Sequence, residues 1–144
     1  MTEALHLIAS LRSENVQSIS IVRAFYERLT TGDVDGLTAL LAPDLEWTEL
    51  ESFPYYSGTW RTPDEVLEKL LVPLSRDWAD FSVRPSEFIG DADRIVTIGA
   101  YAGVHRATGK AMRAAFAHLW RVRQGKIVRF DMVADASPIL SAMA

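Results

Sequence analysis

Hydrophobic positions in the first part of the chain recur at helical spacing. Between Glu14 and Thr30 the apolar side chains stand three to four residues apart, which predicts an amphipathic helix. Gly32 is suited to end this helix. Asp33 then provides a cap for a second helix, which Pro43 ends. The pattern therefore predicts two consecutive helices before any strand.

A third helix is predicted after Thr62. A threonine at the N-cap, Pro63 in the first turn and Glu65 completing a capping box form a typical helix start. The apolar side chains of this helix are expected to pack in the core, and Pro73 is expected to end it. A short strand over residues 45–51 precedes it.

The second half of the chain has the composition of strands. Four segments rich in β-branched and aromatic residues are separated by turn-forming clusters, and they cover residues 81–89, 94–105, 111–123 and 126–135. Helices followed by a long meander predict an α+β fold. In this fold the helices pack on the concave face of a curved, mainly antiparallel sheet.

The sequence Gln124-Gly125 between the last two strands offers two turn lengths. A two-residue type I′ turn would force Gln124 to a positive φ, which a non-glycine residue resists. A three-residue loop beginning at Arg123 needs positive φ only at the glycine. The longer loop is therefore preferred, and it places His118 opposite Phe130.

Loop length also decides which side chains share a face of the sheet. A two-residue turn would place His118 opposite Asp131. A three-residue loop over 107–109, between the two preceding strands, places His118 beside Ile98. Alternation then assigns the following set to the concave face under the helices: Ile98, Ala100, Ala102, Val104, Met112, Ala114, Phe116, His118, Trp120, Val122, Val128, Phe130 and Met132.

Small side chains on that face leave two interpretations open. Ala100, Ala102 and Ala114 among large aromatics would either leave a ligand pocket unfilled or admit a close-packed helix. The pattern alone favours neither.

Two aspartates of the last strand are expected on the opposite face. Asp131 and Asp135 are predicted to point away from the concavity and to pair with Arg121 or Arg129. His105 is predicted on that outer face as well, away from His118.

Composition narrows the class of function. The 144 residues indicate one domain over 1–144, with an N-terminal arm over 1–13 and a C-terminal tail over 137–144. The net charge of −4 argues against a nucleic-acid partner. The apolar start of the chain is too short to span a bilayer, so we expect no membrane partner and a cytoplasmic location.

Cofactor chemistry finds no support in the motifs. The chain has no cysteine, and its three histidines lack metal-ligand spacing. Neither a phosphate-binding loop nor a dinucleotide fingerprint is present. We therefore predict no cofactor and no metal ion.

Three motifs in order carry a family resemblance. They are Val22–Asp35 with its Gly-Asp turn followed by Leu41–Trp47, then Gly58–Val66, and finally Phe116–Val128. Together they resemble the SnoaL-like, ketosteroid isomerase-like proteins of the nuclear transport factor 2-like superfamily, over about residues 18–136. The resemblance implies a cone-shaped α+β barrel with a deep apolar pocket, commonly a homodimer. Members include isomerases, cyclases, dehydratases, epoxide hydrolases and non-catalytic binding modules, so the fold does not define the function.

The resemblance also suggests site residues. It places the general base of the isomerases on Glu49 and the oxyanion-hole carboxylic acid on His118. The oxyanion-hole tyrosine falls on Phe25, with Tyr26 one step around the helix. Isomerisation needs a base near the α-proton and donors for the enolate oxygen. The missing tyrosine argues against true steroid isomerase activity.

Structural alternatives stay open for both candidate catalytic residues. For His118 the alternative is a core histidine with satisfied hydrogen bonds, and the agreement of strand alternation with the family alignment favours the functional role. Glu49 shares its strand face with Trp47 and Glu51, so a solvated face is the alternative for it. If the two groups converge in the cone, burial and mutual proximity act on their charges in opposite directions. We then expect both to titrate abnormally.

The remaining candidate site residues are apolar or aromatic and are predicted to bind the ligand. The loop before the third helix carries an aromatic cluster of Phe53, Tyr55, Tyr56 and Trp60. These rings would either form a lid over the ligand or hold the loop against the domain, and the second role is favoured for Trp60. The complete ligand-binding set is Phe25, Tyr26, Trp47, Tyr55, Tyr56, Trp60, Phe81, Phe116, Trp120, Phe130 and Met132.

These expectations lead to one principal functional hypothesis. The chain is a cofactor-independent enzyme of the isomerase, cyclase, lyase or hydrolase type, acting on a small apolar carbonyl or polyketide-like molecule through Glu49 and His118. The alternative is a non-catalytic ligand-binding or dimerisation module of the same fold. A homodimer is expected because an outer sheet face carrying Leu119, Val133 and arginines offers a surface for a second copy.

Overall fold

A curved six-stranded sheet and the helices packed on its concave side form the structure, a computed structural model that describes residues 2–144. The helices are α1 (Thr2–Thr31), α2 (Val34–Thr38), α3 (Pro63–Val66), α4 (Val72–Asp77) and α5 (Ser137–Met143). A π-helical turn, Leu67–Leu71, joins α3 to α4. The strands are β1 (Leu41–Thr48), β2 (Thr59–Trp60), β3 (Trp78–Asp91), β4 (Arg94–His105), β5 (Ala111–Arg123) and β6 (Lys126–Ala134).

The strand order is β2-β1-β6-β5-β4-β3. Only the β1–β6 pairing is parallel among the strand pairs of the described chain. The sheet curves into a cone without closing. The predicted α+β class, with helices on the concave face of a mainly antiparallel sheet, is confirmed.

The N-terminal arm is continuous with the first predicted helix. Residues 2–13 belong to α1, which ends before Gly32 at φ +72°; Met1 lies outside the described residues. Asp33 caps α2 as predicted, because its carboxylate accepts a hydrogen bond of 3.0 Å from the Gly36 N–H. The C-terminal tail contains α5.

The second helix is shorter than predicted because a strand pairing begins before Pro43. The Ile127 N–H donates to the Leu40 carbonyl at 2.8 Å, and Leu41 pairs with Ile127. Pro43 lies inside β1, where the register shifts between Leu41 and Glu46. An irregular stretch of this kind tolerates the missing proline N–H.

The third helix begins as predicted and ends later. The Thr62 hydroxyl accepts from the Glu65 N–H at 3.2 Å. Pro73 does not end the helical segment, because it lies in the first turn of α4, directly after the π-helical turn. The first turn of a helix accepts proline without losing a hydrogen bond, so the segment continues to Asp77.

The loop between β4 and β5 is one residue longer than predicted. His105 pairs with Lys110, the His105 N–H donating to the Lys110 carbonyl at 2.9 Å, and the loop spans 106–109. His118 therefore lies opposite Thr97, not beside Ile98.

This shift reverses the predicted faces of β4. Buried residues of the strand are Ile95, Thr97, Tyr101, Gly103 and His105, on the concave face. The assignment of Ile98, Ala100, Ala102 and Val104 to that face is wrong, and so is the placement of His105 on the outer face.

The turn between β5 and β6 also differs from the prediction. Arg123 pairs with Lys126, so the turn has two residues, and Gln124 adopts a φ of +52°. The three-residue loop is therefore wrong. A two-residue turn alone would place His118 opposite Asp131. This pairing does not occur, because Val128 forms a β-bulge between two ladder pairs.

The bulge restores the orientation of β6. His118 lies opposite Met132, and Trp120 lies opposite Phe130. The predicted pair of His118 with Phe130 is wrong by two positions, which leaves the face unchanged. The concave assignment of Phe116, His118, Trp120, Phe130 and Met132 is confirmed by their burial.

The outer face carries the charged residues. Arg129 Nε lies 2.8 Å from the Asp131 carboxylate, as predicted. Asp135 makes no ion pair within the described chain; its carboxylate accepts from the Ser137 N–H at 3.1 Å. Arg121 and Arg123 approach Asp93 instead, at 4.0 and 3.6 Å.

Within residues 2–144, no helix combines the length and the apolar character needed to cross a lipid bilayer.

Candidate functional site

A cavity of about 450 Å³ lies between the concave face of the sheet, the C-terminal end of α1 and the segment from α3 to α4. Its interior is mainly aromatic and aliphatic, with Glu49, Tyr101 and His118 as polar groups. Its rim carries Asp80 and Arg84, among other polar residues. The volume lies within the usual range of small-molecule pockets.

Glycine residues of β4 help to shape the wall of this cavity. A Cβ added at Gly99 would lie 2.7 Å from the Phe116 ring and 2.2 Å from the Arg84 carbonyl oxygen. One added at Gly103 would lie 3.3 Å from Phe81 Cα. Strand β3 and the Phe116 ring occupy the space that side chains at Gly99 and Gly103 would otherwise fill.

Glu49 lies directly after β1 and is buried. Trp47 Nε1 donates to Glu49 Oε1 at 2.8 Å, and the Trp47 ring stacks on Phe130 at 3.8 Å between centroids. The second oxygen, Oε2, has no hydrogen-bond partner within residues 2–144. It also keeps some accessible surface, unlike the fully inaccessible polar atoms without a partner in that part of the chain. Since Glu49 lines the cavity, this oxygen is available to a ligand.

Burial changes the acidity of this carboxyl group. Loss of hydration raises the pKa of Glu49 to about 7, against a smaller opposite effect of the hydrogen bond from Trp47. A carboxyl group with a pKa near 7 is well matched to accepting and returning a proton at neutral pH.

His118 is held between two tyrosines from different elements. Tyr26 Oη, from α1, lies 2.5 Å from His118 Nδ1, and Tyr101 Oη, from β4, lies 2.6 Å from Nε2. The imidazole ring also stacks on Phe116 at 3.9 Å. Burial lowers the pKa of His118 well below 6.5, so the ring is neutral at pH 7.

The hydrogen bonds continue behind the cavity wall. Tyr26 Oη lies 2.5 Å from Thr97 Oγ1, and Trp120 Nε1 donates to the same threonine oxygen at 3.0 Å. Burial raises the pKa of Tyr26 and that of Tyr101, and the nearby Glu49 charge contributes to the second shift. Both phenols therefore keep their protons at neutral pH.

The predicted site residues fall into three places. Those that line the cavity are Glu49, His118, Phe25, Trp47, Phe81 and Phe130. Those buried in the core but outside the cavity lining are Tyr26, Phe116, Trp120 and Met132. Those of the loop before α3 that do not line it are Tyr55, Tyr56 and Trp60.

The loop aromatics have separate contacts. Tyr55 donates to the Asp77 carboxylate at 2.8 Å and accepts from Trp78 Nε1 at 3.1 Å, which attaches the loop to the start of β3. Tyr56 is exposed, whereas Trp60 is buried and pairs with Trp47 across β1 and β2.

Sequence reasoning missed Tyr101. Its exclusion followed from the register error in β4, since the shorter loop placed Tyr101 on the outer face. A signal was available in β4, where Tyr101 and His105 stand four residues apart and therefore share a face of the strand. Two aromatic rings on one face are expected on the core side more than on the outer side. The apolar residues of the third helix were assigned only to the core, and its Leu70 and Leu71 also line the cavity. Leu74, which follows the predicted helix end at Pro73, lines it as well.

Within residues 2–144, no group of three or more histidine or acidic side chains is placed to hold a metal ion.

Solved structures with the same fold share most of the chain. An NTF2-like protein from Burkholderia thailandensis is 32% identical, with a TM-score of 0.84 over 88% of this chain and 97% of that one. TerC, co-crystallised with polyporic acid, is 24% identical, with a TM-score of 0.78 over 88% and 98%. IdmH, a candidate polyketide cyclase from Streptomyces antibioticus, is 21% identical, with a TM-score of 0.76 over 88% and 98%. The last two are similar in fold alone.

The sequence itself identifies the family. A search of curated proteins gives no match. The SnoaL-like domain matches residues 22–130, which contain Glu49, Tyr101 and His118. These residues extend from the first helix to the last strand. The chain therefore belongs to the SnoaL-like family, within the NTF2-like fold that its sequence motifs resemble.

Proposed function

We propose that this chain binds a small, mostly apolar carbonyl compound in its cavity and moves a proton next to the carbonyl group without a cofactor. The observation that carries the proposal is the Glu49 carboxyl group. One oxygen is fixed by Trp47 Nε1 at 2.8 Å, and the other is available in the cavity. A fixed carboxylate with one free oxygen is the arrangement that a general base requires.

The proposed step is a reversible enolisation. A C–H bond next to the carbonyl breaks, its electron pair moves toward the carbonyl oxygen, and the proton goes to Glu49 Oε2. Return of the proton to another carbon completes an isomerisation. If the enolate carbon instead attacks a second carbonyl, a C–C bond closes a ring, the π electrons of that carbonyl move to its oxygen, and the proton on Glu49 goes to this oxygen. A hydrogen-bond donor in the same cavity would stabilise the enolate oxygen. His118 and Tyr101 are the polar groups that line the cavity interior beside Glu49.

The similar structures support the ligand class. TerC was co-crystallised with a small molecule, polyporic acid, and IdmH is a candidate polyketide cyclase. The aromatic walls formed by Phe25, Trp47 and Phe130 suit a flat, apolar molecule.

A non-catalytic binding function is the second candidate. It is favoured by Phe25, which stands where the resemblance expects a tyrosine donor, and by His118, whose two nitrogens are already hydrogen-bonded. In this case the cavity would bind the same class of ligand without moving a proton.

The homodimer remains a proposal of its own. Ile98, Leu119 and Val133 are 39%, 42% and 53% exposed on the outer face of the sheet. A second copy covering this face would remove these side chains from water. Sedimentation over micromolar concentrations tests it, and a species of 16.1 kDa throughout would overturn it.

Deuterium exchange distinguishes the two candidate functions. The probe is 2-tetralone, a two-ring ketone with acidic protons next to its carbonyl, incubated with the protein in D₂O and followed by proton NMR. We expect exchange faster than in buffer and its loss, by about a hundredfold or more, in Glu49→Gln. Saturable binding without accelerated exchange would support the binding function and overturn the enzymatic one.

A matched control checks that the variant acts through the carboxylate. Glu46→Gln changes an exposed glutamate of β1, whose ion pairs with Arg61 and Arg129 lie at the surface. We expect it to exchange 2-tetralone at the wild-type rate.

A further inference from the structure

Five side chains form a continuous hydrogen-bonded row that ends in the cavity. The order is Trp120, Thr97, Tyr26, His118 and Tyr101, with successive distances of 3.0, 2.5, 2.5 and 2.6 Å. Each of the three links from Thr97 to Tyr101 has two alternative donors, so distances alone do not define its direction. The direction matters because Tyr101 is the end of the row that lines the cavity.

The Trp120 end defines the direction. An indole N–H donates and cannot accept, so Thr97 Oγ1 is an acceptor in this contact. Thr97 is fully buried, and within the described chain the hydrogen-bond partners of its hydroxyl are Trp120 and Tyr26 alone. The threonine proton is satisfied only if it is donated to Tyr26 Oη.

The donors of Tyr26 and His118 follow from that of Thr97. Tyr26 Oη accepts from Thr97, so its own proton goes to His118 Nδ1. A neutral imidazole carries one proton, which must then be on Nε2 and is donated to Tyr101 Oη. In the opposite direction, Thr97 would accept twice and its own proton would have no acceptor within residues 2–144.

We infer that the row is directed from Trp120 to Tyr101, and that the Tyr101 O–H is the donor that binds the carbonyl oxygen of the ligand. The inference rests on the proposed function for the identity of the ligand. Tyr101 accepts from His118 and retains its own proton for a partner in the cavity. His118 and Tyr26 are positioning residues, because they act on the ligand through Tyr101.

This direction also defines the chemical class of the bound group. An O–H donor supported from behind by an N–H donor stabilises an acceptor oxygen, and most strongly one that gains negative charge. Carbonyl, enolate and phenolate oxygens qualify, whereas an ammonium group does not. Tyr101 thereby supplies the hydroxyl that the expected tyrosine position, Phe25, lacks.

The position of Glu49 agrees with this role. Glu49 and Tyr101 line the same cavity. Burial raises the pKa of Tyr101, and the Glu49 carboxylate charge raises it further, which is an effect expected between groups that lie near each other. A ketone with its oxygen on Tyr101 would present neighbouring C–H bonds to the base.

The imidazole tautomer tests the direction without any ligand. Protein labelled with ¹⁵N-histidine, with His118 assigned by separate His6→Gln and His105→Gln variants, is examined by NMR between pH 6 and 8. We expect a proton on Nε2 and none on Nδ1 throughout this range. A proton on Nδ1 would overturn the inference.

Ligand binding tests the end of the row. The probe is 2-naphthol, followed by its fluorescence at pH 8 as a phenol or phenolate acceptor. We expect about tenfold weaker binding in Tyr101→Phe and a smaller loss, about threefold, in Tyr26→Phe, which does not line the cavity. Tyr55→Phe is the matched control, since its hydroxyl binds Asp77 and Trp78, and we expect unchanged affinity.

The outcomes separate this inference from the proposed function. An Nε2-protonated His118 with naphthol binding that depends on Tyr101, but no exchange of 2-tetralone, would overturn the enzymatic function and support the inference. Exchange with an Nδ1-protonated His118 would do the reverse. Absence of naphthol binding, or equal binding by wild type and Tyr101→Phe, would overturn the donor role of Tyr101.

Discussion

Two buried polar side chains face the same cavity and are satisfied in opposite ways. His118 has a hydrogen-bond partner at each ring nitrogen, and burial keeps it neutral. Glu49 has one partner, Trp47 Nε1, while its other oxygen is available in the cavity and its pKa is raised to about 7.

The difference separates positioning from reactivity. A group whose hydrogen bonds are all internal holds its neighbours in place and has no capacity left for a ligand. A group that is fixed at one atom and free at another keeps its orientation and still exchanges a proton. Removing His118 should therefore lower the stability of the fold, whereas removing the Glu49 charge should raise it.

His118→Ala should cause the largest change. The substitution removes the imidazole ring stacked on Phe116 and leaves two buried tyrosine hydroxyls without their partner. We expect the free energy of unfolding to fall by about 4 kcal/mol. Urea unfolding at pH 7 measures it. Tyr56→Ala, at an exposed tyrosine, serves as a control and should change little; a similar loss in both would contradict the structural role.

Glu49→Gln should have the opposite sign. The carboxyl pKa is raised from 4.5 to about 7 in the folded state, so the folded protein retains a proton that the unfolded chain loses. The contribution of Glu49 to the free energy of unfolding is therefore fully present below pH 4.5 and is lost as the pH rises to about 7. Above that pH we expect Glu49→Gln to be more stable by up to about 3 kcal/mol.

The pH dependence provides the check on this prediction. Urea unfolding of wild type and Glu49→Gln should give free energies that converge toward pH 4.5 and diverge up to pH 8. A constant difference across this range would show that the effect does not come from titration of Glu49.

The rate of proton exchange should follow the same carboxyl group. With a pKa of about 7, the unprotonated fraction of Glu49 rises about tenfold between pH 6 and pH 8. We expect the enzyme-catalysed part of 2-tetralone exchange to rise by that factor and then level off. Since burial holds the pKa of His118 well below 6.5, no additional step from that residue is expected. A rate maximum near pH 6.5 would contradict the assigned roles.

The smallest expected effect concerns the hairpin that carries His118. Gln124 has a φ of +52° and Gly125 a φ of +73°. Gln124→Gly should relieve the strained residue and raise the free energy of unfolding by about 0.5–1 kcal/mol. Gly125→Ala, in the same turn, should lower it. Thermal unfolding of both variants tests the pair, and a loss in Gln124→Gly would show that the turn is not strained at that residue.

Helices and strand faces were predictable wherever the local signal was strong. Gly32, Asp33 and Thr62 define helix ends through their own backbone and side-chain chemistry, and all three act as predicted. The alternation in β5 identified the concave face because every second residue from Met112 to Val122 is apolar, apart from His118.

The residue count of the loops was not predictable from the same signals. Gln124 tolerates a positive φ because pairing on both sides of the turn determines its conformation, which no local propensity reveals. The loop after His105 takes one more residue than its glycine pattern indicates. A miscount of one residue exchanges the faces of a strand, and it removed Tyr101 from the predicted cavity.

The bulge at Val128 has a consequence for how this hairpin tolerates insertions. His118 faces Met132 because the segment between them has the right number of residues, of which one is the bulge. Deleting Val128 while adding one residue to the turn would preserve that number. A residue lost from the body of the hairpin can therefore be replaced by one gained in its turn without changing the side chains that face the pocket. Relatives with a longer turn and no bulge here can keep the same pocket wall.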